Sequence, residues 1–252
     1  MATFDAVSKQ YAGKSLVQQK AAGKLIALLK IKNTDSILDV ACGPGNLTSE
    51  LRRMTGGRVA GTDVSAKMIE QAGARYPDIE FKAVAAEDMD YPGEFDVAFC
   101  NSALQWFAEP EKAVRAVCRA LKPGSRIGVA CPGTEEWSPA FVKAIKRVSE
   151  SPEIKPVFAK WKSPWFFLKS AEEYRQFFEK CGFRTEHISV DYERGEYSVD
   201  DAFGIYLSGA ANGFTSIGGR FNELVKEEFV REAVNGKFVL DFNRLYYVGE
   251  KP

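Results

Sequence analysis

The chain has 252 residues, 45% of them hydrophobic, and 34 basic against 34 acidic side chains, so its formal net charge is zero. That length supports one domain with a substantial core, and the balanced charge gives no sign of a nucleic-acid partner. No apolar run approaches the about 20 residues that span a bilayer. The polar Met1–Lys20 segment lacks the apolar stretch of a secretion signal, so a cytoplasmic protein is expected.

In chain order, residues 4–30 read as a helix with an apolar face at Leu25, Ile26, Leu28 and Leu29. Residues 37–41 form a buried strand, followed by a glycine turn and a helix from Asn46 to Met54 that Gly56 and Gly57 close. Strand 58–62 stops at Asp63, and Ser65 caps a helix over 66–74. Strands follow at 79–83 and 95–101, then a helix at 110–121 stopped by Lys122-Pro123-Gly124, then a strand at 126–131. This alternation of strand and helix argues for a doubly wound α/β sheet. After Cys131 the rhythm changes, and residues 132–168 hold five prolines and three tryptophans. Helices are expected at 139–149, from the capping box Ser170–Glu173 to Lys180, from Ser198 onward and over 221–234, with strands at 183–192 and 237–249. Five scattered cysteines lack Cys-x-x-Cys spacing and read as reduced thiols, with no metal site.

The stretch Leu38-Asp39-Val40-Ala41-Cys42-Gly43-Pro44-Gly45 carries the chemistry. A strand running into Gly-x-Gly and then a helix places a nucleotide-like ligand at the strand's carboxyl end. A dinucleotide fingerprint wants a third glycine where Thr48 stands, which counts against NAD. Asp39 beside the turn can address a cation or amine. Asp63, about 20 residues after the turn, can accept ribose hydroxyls. An acid at that place suits both NAD and S-adenosylmethionine; Asp39 and Thr48 favour the second.

With these motifs the chain resembles the class I S-adenosylmethionine-dependent methyltransferases. The matching residues are 38–45, Gly61-Thr62-Asp63-Val64-Ser65 with Met68-Ile69, Ala86-Glu87-Asp88, Phe95-Asp96-Val97 and Leu121-Lys122-Pro123-Gly124. The resemblance implies a mostly parallel, seven-stranded, Rossmann-like sheet with its last strand antiparallel. It implies a helical lid at 1–36, a cofactor core at 37–131, and a substrate-covering insertion with the last strands at 132–252, all in one domain. Asp39 and Gly43 to Gly45 would face the methionine part of the cofactor, with Ala41 and Asn46 also among the residues that bind it. Asp63 would face the ribose and Ala86, Glu87 and Asp88 the adenine edge, with Val64 and Met68 also contacting the cofactor. Ala85 stands where many relatives carry Asp, a departure that bears on the adenine contact.

The stretch Asn101-Ser102-Ala103-Leu104-Gln105-Trp106 is similar to the trans-aconitate and malonyl-carrier-protein methyltransferases, both of which methylate a carboxylate. Phe4-Asp5 with Tyr11 and Gln18 is similar as well, and the ending 242–248 is nearer the trans-aconitate group. The expected acceptor is therefore a small acid or a carrier-bound acid. A carboxylate, with a pKa of about 4, is ionised at neutral pH and needs no general base. The one histidine, His187, lies far in sequence from the motifs. Candidate residues at the reacting centre are Trp106, Gln105 and Tyr11, with Asn101 and Gln18 holding the cofactor. Arg244 is a candidate for the acceptor's carboxylate, and Trp161, Trp165, Phe166 and Phe167 for the acceptor pocket. The fold also supports methylation of amines, phenols or carbon, and a non-catalytic binding role.

Overall fold

The computed structural model describes the backbone from Leu16 to Pro252 and the side chains from Gln18 onward. Tyr11 and the first part of the expected N-terminal helix lie outside the described residues. In chain order the elements are α1 (Leu16–Leu29), β1 (Ile37–Val40), α2 (Asn46–Met54), β2 (Val59–Asp63), α3 (Ala66–Arg75), β3 (Glu80–Ala83), β4 (Phe95–Asn101), α4 (Pro110–Ala120) and β5 (Leu121–Pro132). There follow α5 (Pro139–Ser149), α6 (Lys155–Phe158), α7 (Ala171–Lys180), β6 (Arg184–Ser198), α8 (Val199–Ser208), α9 (Gly219–Glu232) and β7 (Lys237–Glu250).

The seven strands form one sheet in the order β3-β2-β1-β4-β5-β7-β6. The first five are parallel, and β7 runs antiparallel to both β5 and β6, as the resemblance implies. Every residue of β1 is buried, which suits a central strand covered on both faces. One face packs Leu25 and Leu29 of α1 and Leu51 of α2 against Phe99 and Tyr246. The other packs Val117 of α4 and Tyr174 and Phe178 of α7 against the sheet, where the Phe178 and Tyr247 rings stack at 3.8 Å. After β1 the chain builds outward through β2 and β3, then returns to lay β4 on β1's other side. That reversal opens a crevice at the carboxyl ends of β1 and β4, where open α/β sheets bind ligands.

Several boundaries differ from expectation. Strand β5 begins at Leu121, directly after α4, because Leu121 pairs with Phe95 before the register shifts and resumes at Val97 with Arg126. Lys122-Pro123-Gly124, read as a stop, is a bulge with Gly124 at φ 74°. Strand β6 runs to Ser198, six residues beyond the expected Tyr192. The charged Glu193-Arg194-Gly195-Glu196 stretch lies beyond the expected strand, yet its backbone pairs with β7 as far as Ser198 with Lys237.

That extension matters for the site. Strand β5 covers β7 only from Arg244 to Glu250, so Lys237–Asn243 and its β6 partner rise past the sheet's carboxyl edge. Phe238, Leu240 and Phe242 on this projecting ladder are buried against α5, α8 and α9, where the Phe141 and Phe229 rings stack at 5.1 Å. The covering layer thus comes from two separate stretches, one after β5 and one between β6 and β7. Among the described residues no helix is long and apolar enough to cross a membrane.

Gly61 in β2 is required by space: a Cβ there would lie 2.8 Å from the Phe81 ring and 2.9 Å from Cys42 Sγ. Gly61→Ala should lower unfolding free energy by about 1–3 kcal/mol in urea titrations, the usual range for overpacking. Combining it with Phe81→Leu should restore part of the loss.

Candidate functional site

The turn after β1 holds three left-handed residues: Ala41 at φ 60°, Gly43 at φ 55° and Gly45 at φ 79°. Such values strain any side-chain-bearing residue, and the strained Ala41 sits directly on the crevice. The two glycines serve different needs. A Cβ on Gly45 would meet the Phe81 ring at 2.9 Å, whereas nothing lies within 4 Å of the corresponding point on Gly43. Gly43 therefore offers open backbone to a ligand, and Gly45 lets α2 start close against α3 and β3.

Asp63 organises this turn. Its Oδ2 accepts from the Gly43 amide at 2.9 Å and its Oδ1 from the Ser65 amide at 2.8 Å. A carboxylate offers about four acceptor directions, and these two bonds orient it at the ends of β1 and β2. Ser65 in turn caps α3 by accepting from the Met68 amide at 3.2 Å. Asp39 lies deeper, 2% exposed within β1, where its Oδ2 accepts from the Thr48 hydroxyl at 2.7 Å. Burial pushes its pKa from 3.8 up to about 7; the Thr48 hydroxyl opposes that rise and the Asp63 charge adds to it. Thr48 was notable in the sequence for not being glycine. Its actual contribution, holding Asp39, shows only when the first turn of α2 folds back over β1.

Other sequence candidates are placed differently from expectation. The Asn46 side chain is turned to α3, accepting from Arg75 Nη1 at 2.9 Å and from the Tyr76 hydroxyl at 3.1 Å. Glu87 accepts from the Glu109 amide at 3.1 Å, and Asp88 pairs with Lys112 at 2.9 Å. Both carboxylates thus also make contacts with the start of α4. Ala86 is buried, Met68 packs beneath the turn at 3% exposure, and Val64 stands 66% exposed at the end of β2. His187 lies on β6 beside Ser189, away from the crevice.

The register carries the site onto β4. Asp39 pairs with Phe99, so Asn101 stands beside Ala41 at the carboxyl edge. Asn101 Nδ2 donates to the Gln18 carbonyl at 3.1 Å, linking α1 to the crevice. Ser102 follows at φ 60° and reaches the Ala130 carbonyl of β5 with its amide. Gln105 Nε2 donates to the Ser102 carbonyl at 2.9 Å, and Arg244 Nη1 donates to the Ser102 hydroxyl at 2.9 Å. The side-chain oxygens of Gln18, Asn101 and Gln105 are all buried without a hydrogen-bond partner. Three orphaned acceptors at one edge are costly unless a ligand supplies donors.

Above them lies a pocket bounded by Gln18, Ser102, Gln105, Trp106 and Arg244 below and by aromatic residues of the covering layer above. Trp165 and Phe167 line it, as expected. Phe166 instead packs against Tyr174 and Phe177 on the other side, because successive residues of an extended segment face opposite ways. Trp161 belongs to the covering core, donating to the Gly213 carbonyl at 2.8 Å and stacking on Phe214. Trp137, Phe141 and Phe242 line the pocket too and were not singled out in the sequence. The sole available signal was that Phe242 precedes Arg244 by two residues on one strand, which places both on one face.

Residues 37–124 match the family described as "Methyltransferase domain". Trans-aconitate 2-methyltransferase of Paracidovorax citrulli is 34% identical over 120 residues, 46% of this chain and 46% of that protein. Malonyl-[acyl-carrier protein] O-methyltransferase of Salmonella typhimurium is 32% identical over 124 residues, 49% of each chain. The chain thus spans about half the length of the curated relatives it matches. Among solved structures, the YcgJ protein of Bacillus subtilis superposes with a TM-score of 0.65 over 92% of this chain and 98% of its own, at 19% identity. The glycine turn and its two carboxylates lie inside the stretch that matches the methyltransferase domain. The fold of the chain is the Rossmann-like one of its solved neighbours, and residues 37–124 are similar to the methyltransferase family.

Because the folded pKa of Asp39 is raised, ionising this group disfavours the empty fold: its contribution is fully present below about pH 4 and is lost as pH rises through about 7. A ligand ammonium beside it reverses the preference. S-adenosylhomocysteine affinity measured by calorimetry should therefore rise between pH 6 and 8. Asp39→Asn should abolish that rise and weaken binding, while raising the ligand-free melting temperature at pH 8.

Proposed function

We propose that the protein O-methylates the carboxylate of a small organic acid or acid thioester. One observation carries this reading. Among the described residues lining the acceptor pocket, Arg244 alone is ionisable, so these residues supply a cation suited to a carboxylate and no general base. The methyl acceptor must then arrive already nucleophilic at neutral pH, which a carboxylate does and an amine, phenol or carbon acid does not. The names of the matched relatives, which pair methyl transfer with trans-aconitate and with malonyl-carrier protein, support the same chemistry.

The cofactor supplies an electrophilic methyl on a sulfonium. The residues of the turn fit it: Gly43 presents open backbone, Asp63 is held by two amides where a ribose would sit, and Asp39 gives a negative partner for its amino group. Arg244, 7% exposed and steadied by Ser102, fixes the acceptor by its carboxylate. A planar guanidinium recognises a carboxylate through paired hydrogen bonds, which orients as well as attracts. Trp106 stands on the same floor, where an indole face favours a nearby cation. Its ring is set edge-on to Trp165 at 5.7 Å, so the wall is rigid. Catalysis rests on alignment of oxygen, methyl and sulfur in a water-poor pocket. Gln105 borders the reacting centre through its carbonyl oxygen, and Tyr11 remains a proposed part of an N-terminal lid.

Arg244→Met should lower kcat/KM for the acid at least about 30-fold, since truncating one partner of a buried charge contact costs about 2–5 kcal/mol. S-adenosylhomocysteine affinity should stay within about threefold. With both substrates saturating, kcat should be flat from pH 6 to 9. A tenfold rise per pH unit, or turnover of amines or phenols with none on any acid, would sink the carboxylate reading.

A further inference from the structure

We infer that the outer edge of β6 is a self-association surface for a second copy of this chain. The two β6 strands pair antiparallel about a two-fold axis through Val190. Strand β6 ends the sheet, and among the described residues no strand pairs with its outer edge. Long bare edges invite strand addition, and proteins usually blunt them with short strands, proline or bulges. The opposite edge, β3, follows that rule with four residues, among them Glu80 and Lys82. Strand β6 instead has 15 residues and no proline. Its bulge lies between Thr185 and His187, near the start, and leaves His187 to Ser198 regular. Within this regular stretch Val190 and Tyr192 are 44% and 58% exposed.

The charge pattern of β6 selects both the occupant and the register. Two copies that extend one sheet are related by an axis normal to it, which keeps each face on its own side. Facing residues of an antiparallel pair point to the same face, so the axis must pass through a residue. An axis through Asp191, Glu193 or Arg194 sets like charges directly opposite each other. One through Tyr192 sets Asp191 against Glu193, and one through Ser189 sets Arg184 against Arg194. Opposed like charges are destabilising. An axis through Ile188 shortens the ladder and sets Glu186 against Val190. With Val190 on the axis no like charges face each other. Val190 meets the partner's Val190, Ile188 the partner's Tyr192, Ser189 the partner's Asp191 and His187 the partner's Glu193. Beyond these rungs, long side chains bring Glu186 toward the partner's Arg194 and Arg184 toward the partner's Glu196. Association closes at two copies, because the shared edge is then used up and only short β3 remains. The interface lies one strand from the pocket floor, since Asp191 is the β7 register partner of Arg244.

The test is the solution mass of the whole chain, followed by light scattering and sedimentation across a dilution series. The expected result is a reversible dimer at twice the 27.9 kDa of one chain. Val190→Lys sets two ammonium groups on the axis and should raise the dimer dissociation constant at least about 10-fold. Val190→Cys should give a disulfide-linked dimer under mild oxidation, because facing Cα atoms about 4.5–5.5 Å apart suit a disulfide, while the unsubstituted chain stays uncrosslinked. Arg194→Glu should weaken the dimer, and adding Glu186→Arg in the same chain should recover part of the loss, a rescue that no folding defect reproduces. Thermal melts check that each variant is folded. If Val190→Lys fails to fold, the crosslink and the charge swap decide. A chain that stays monomeric at every concentration would overturn the inference, as would a dimer that folded Val190→Lys leaves equally tight or that the Val190→Cys crosslink does not capture.

Discussion

The carboxyl edge of this sheet depends on a turn that only small residues can make. Between β1 and α2 the backbone passes three times through the left-handed region, and the Asp63 carboxylate ties its middle to the neighbouring strand through the Gly43 amide. That single hydrogen bond couples the end of β1 to the end of β2. It leaves one face of Gly43 open, sets the start of α2, and so brings Thr48 over Asp39. A buried carboxylate with one hydroxyl partner is an expensive feature for an empty fold. It becomes favourable when a cationic ligand group shares the space, which is the sense in which the turn is shaped for a ligand.

The acceptor side is set by a different constraint, the length of the β6–β7 ladder. Because β7 outruns β5 at the carboxyl edge, its first half projects above the sheet and gives three aromatic or aliphatic side chains on which α5, α8 and α9 condense. The same strand places Arg244 opposite Pro132, at the last rung of the sheet proper. One strand therefore anchors the covering layer, contributes Phe242 to the pocket wall and delivers the cation at its floor. The glycine turn and the aromatic pocket meet at Asn101–Trp106, the segment that leaves β4 at the topological reversal.

Much of the cofactor half was readable from residue types in order. Apolar runs ending in Gly-x-Gly or Asp, helices opened by Ser65 and Ser170, and the stop around Pro123 all report local physics, and the strands they imply are present. The side-chain roles were less legible. Asn46, Glu87 and Asp88 sit at motif positions, and each also makes a contact with a neighbouring helix. No motif shows which of two available partners a carboxylate takes, because the alternative partner comes from 22 residues away or more. In the covering layer the same limit appears as face: Trp165 and Phe167 point into the pocket, while Trp161 and Phe166 are core.

By itself the sequence determined the α/β alternation, the glycine turn and the two carboxylates near the ends of β1 and β2, and so pointed to a kind of cofactor, because each follows from local backbone chemistry and short-range periodicity. Only the tertiary structure decided that the charged stretch 193–198 is strand, that two distant insertions form one aromatic wall, and that Arg244 shares a floor with Ser102 and Gln105. Those outcomes depend on strand pairing between residues 39 or more apart in the chain and on which ring fills which gap, and neither is encoded in any single window of residues.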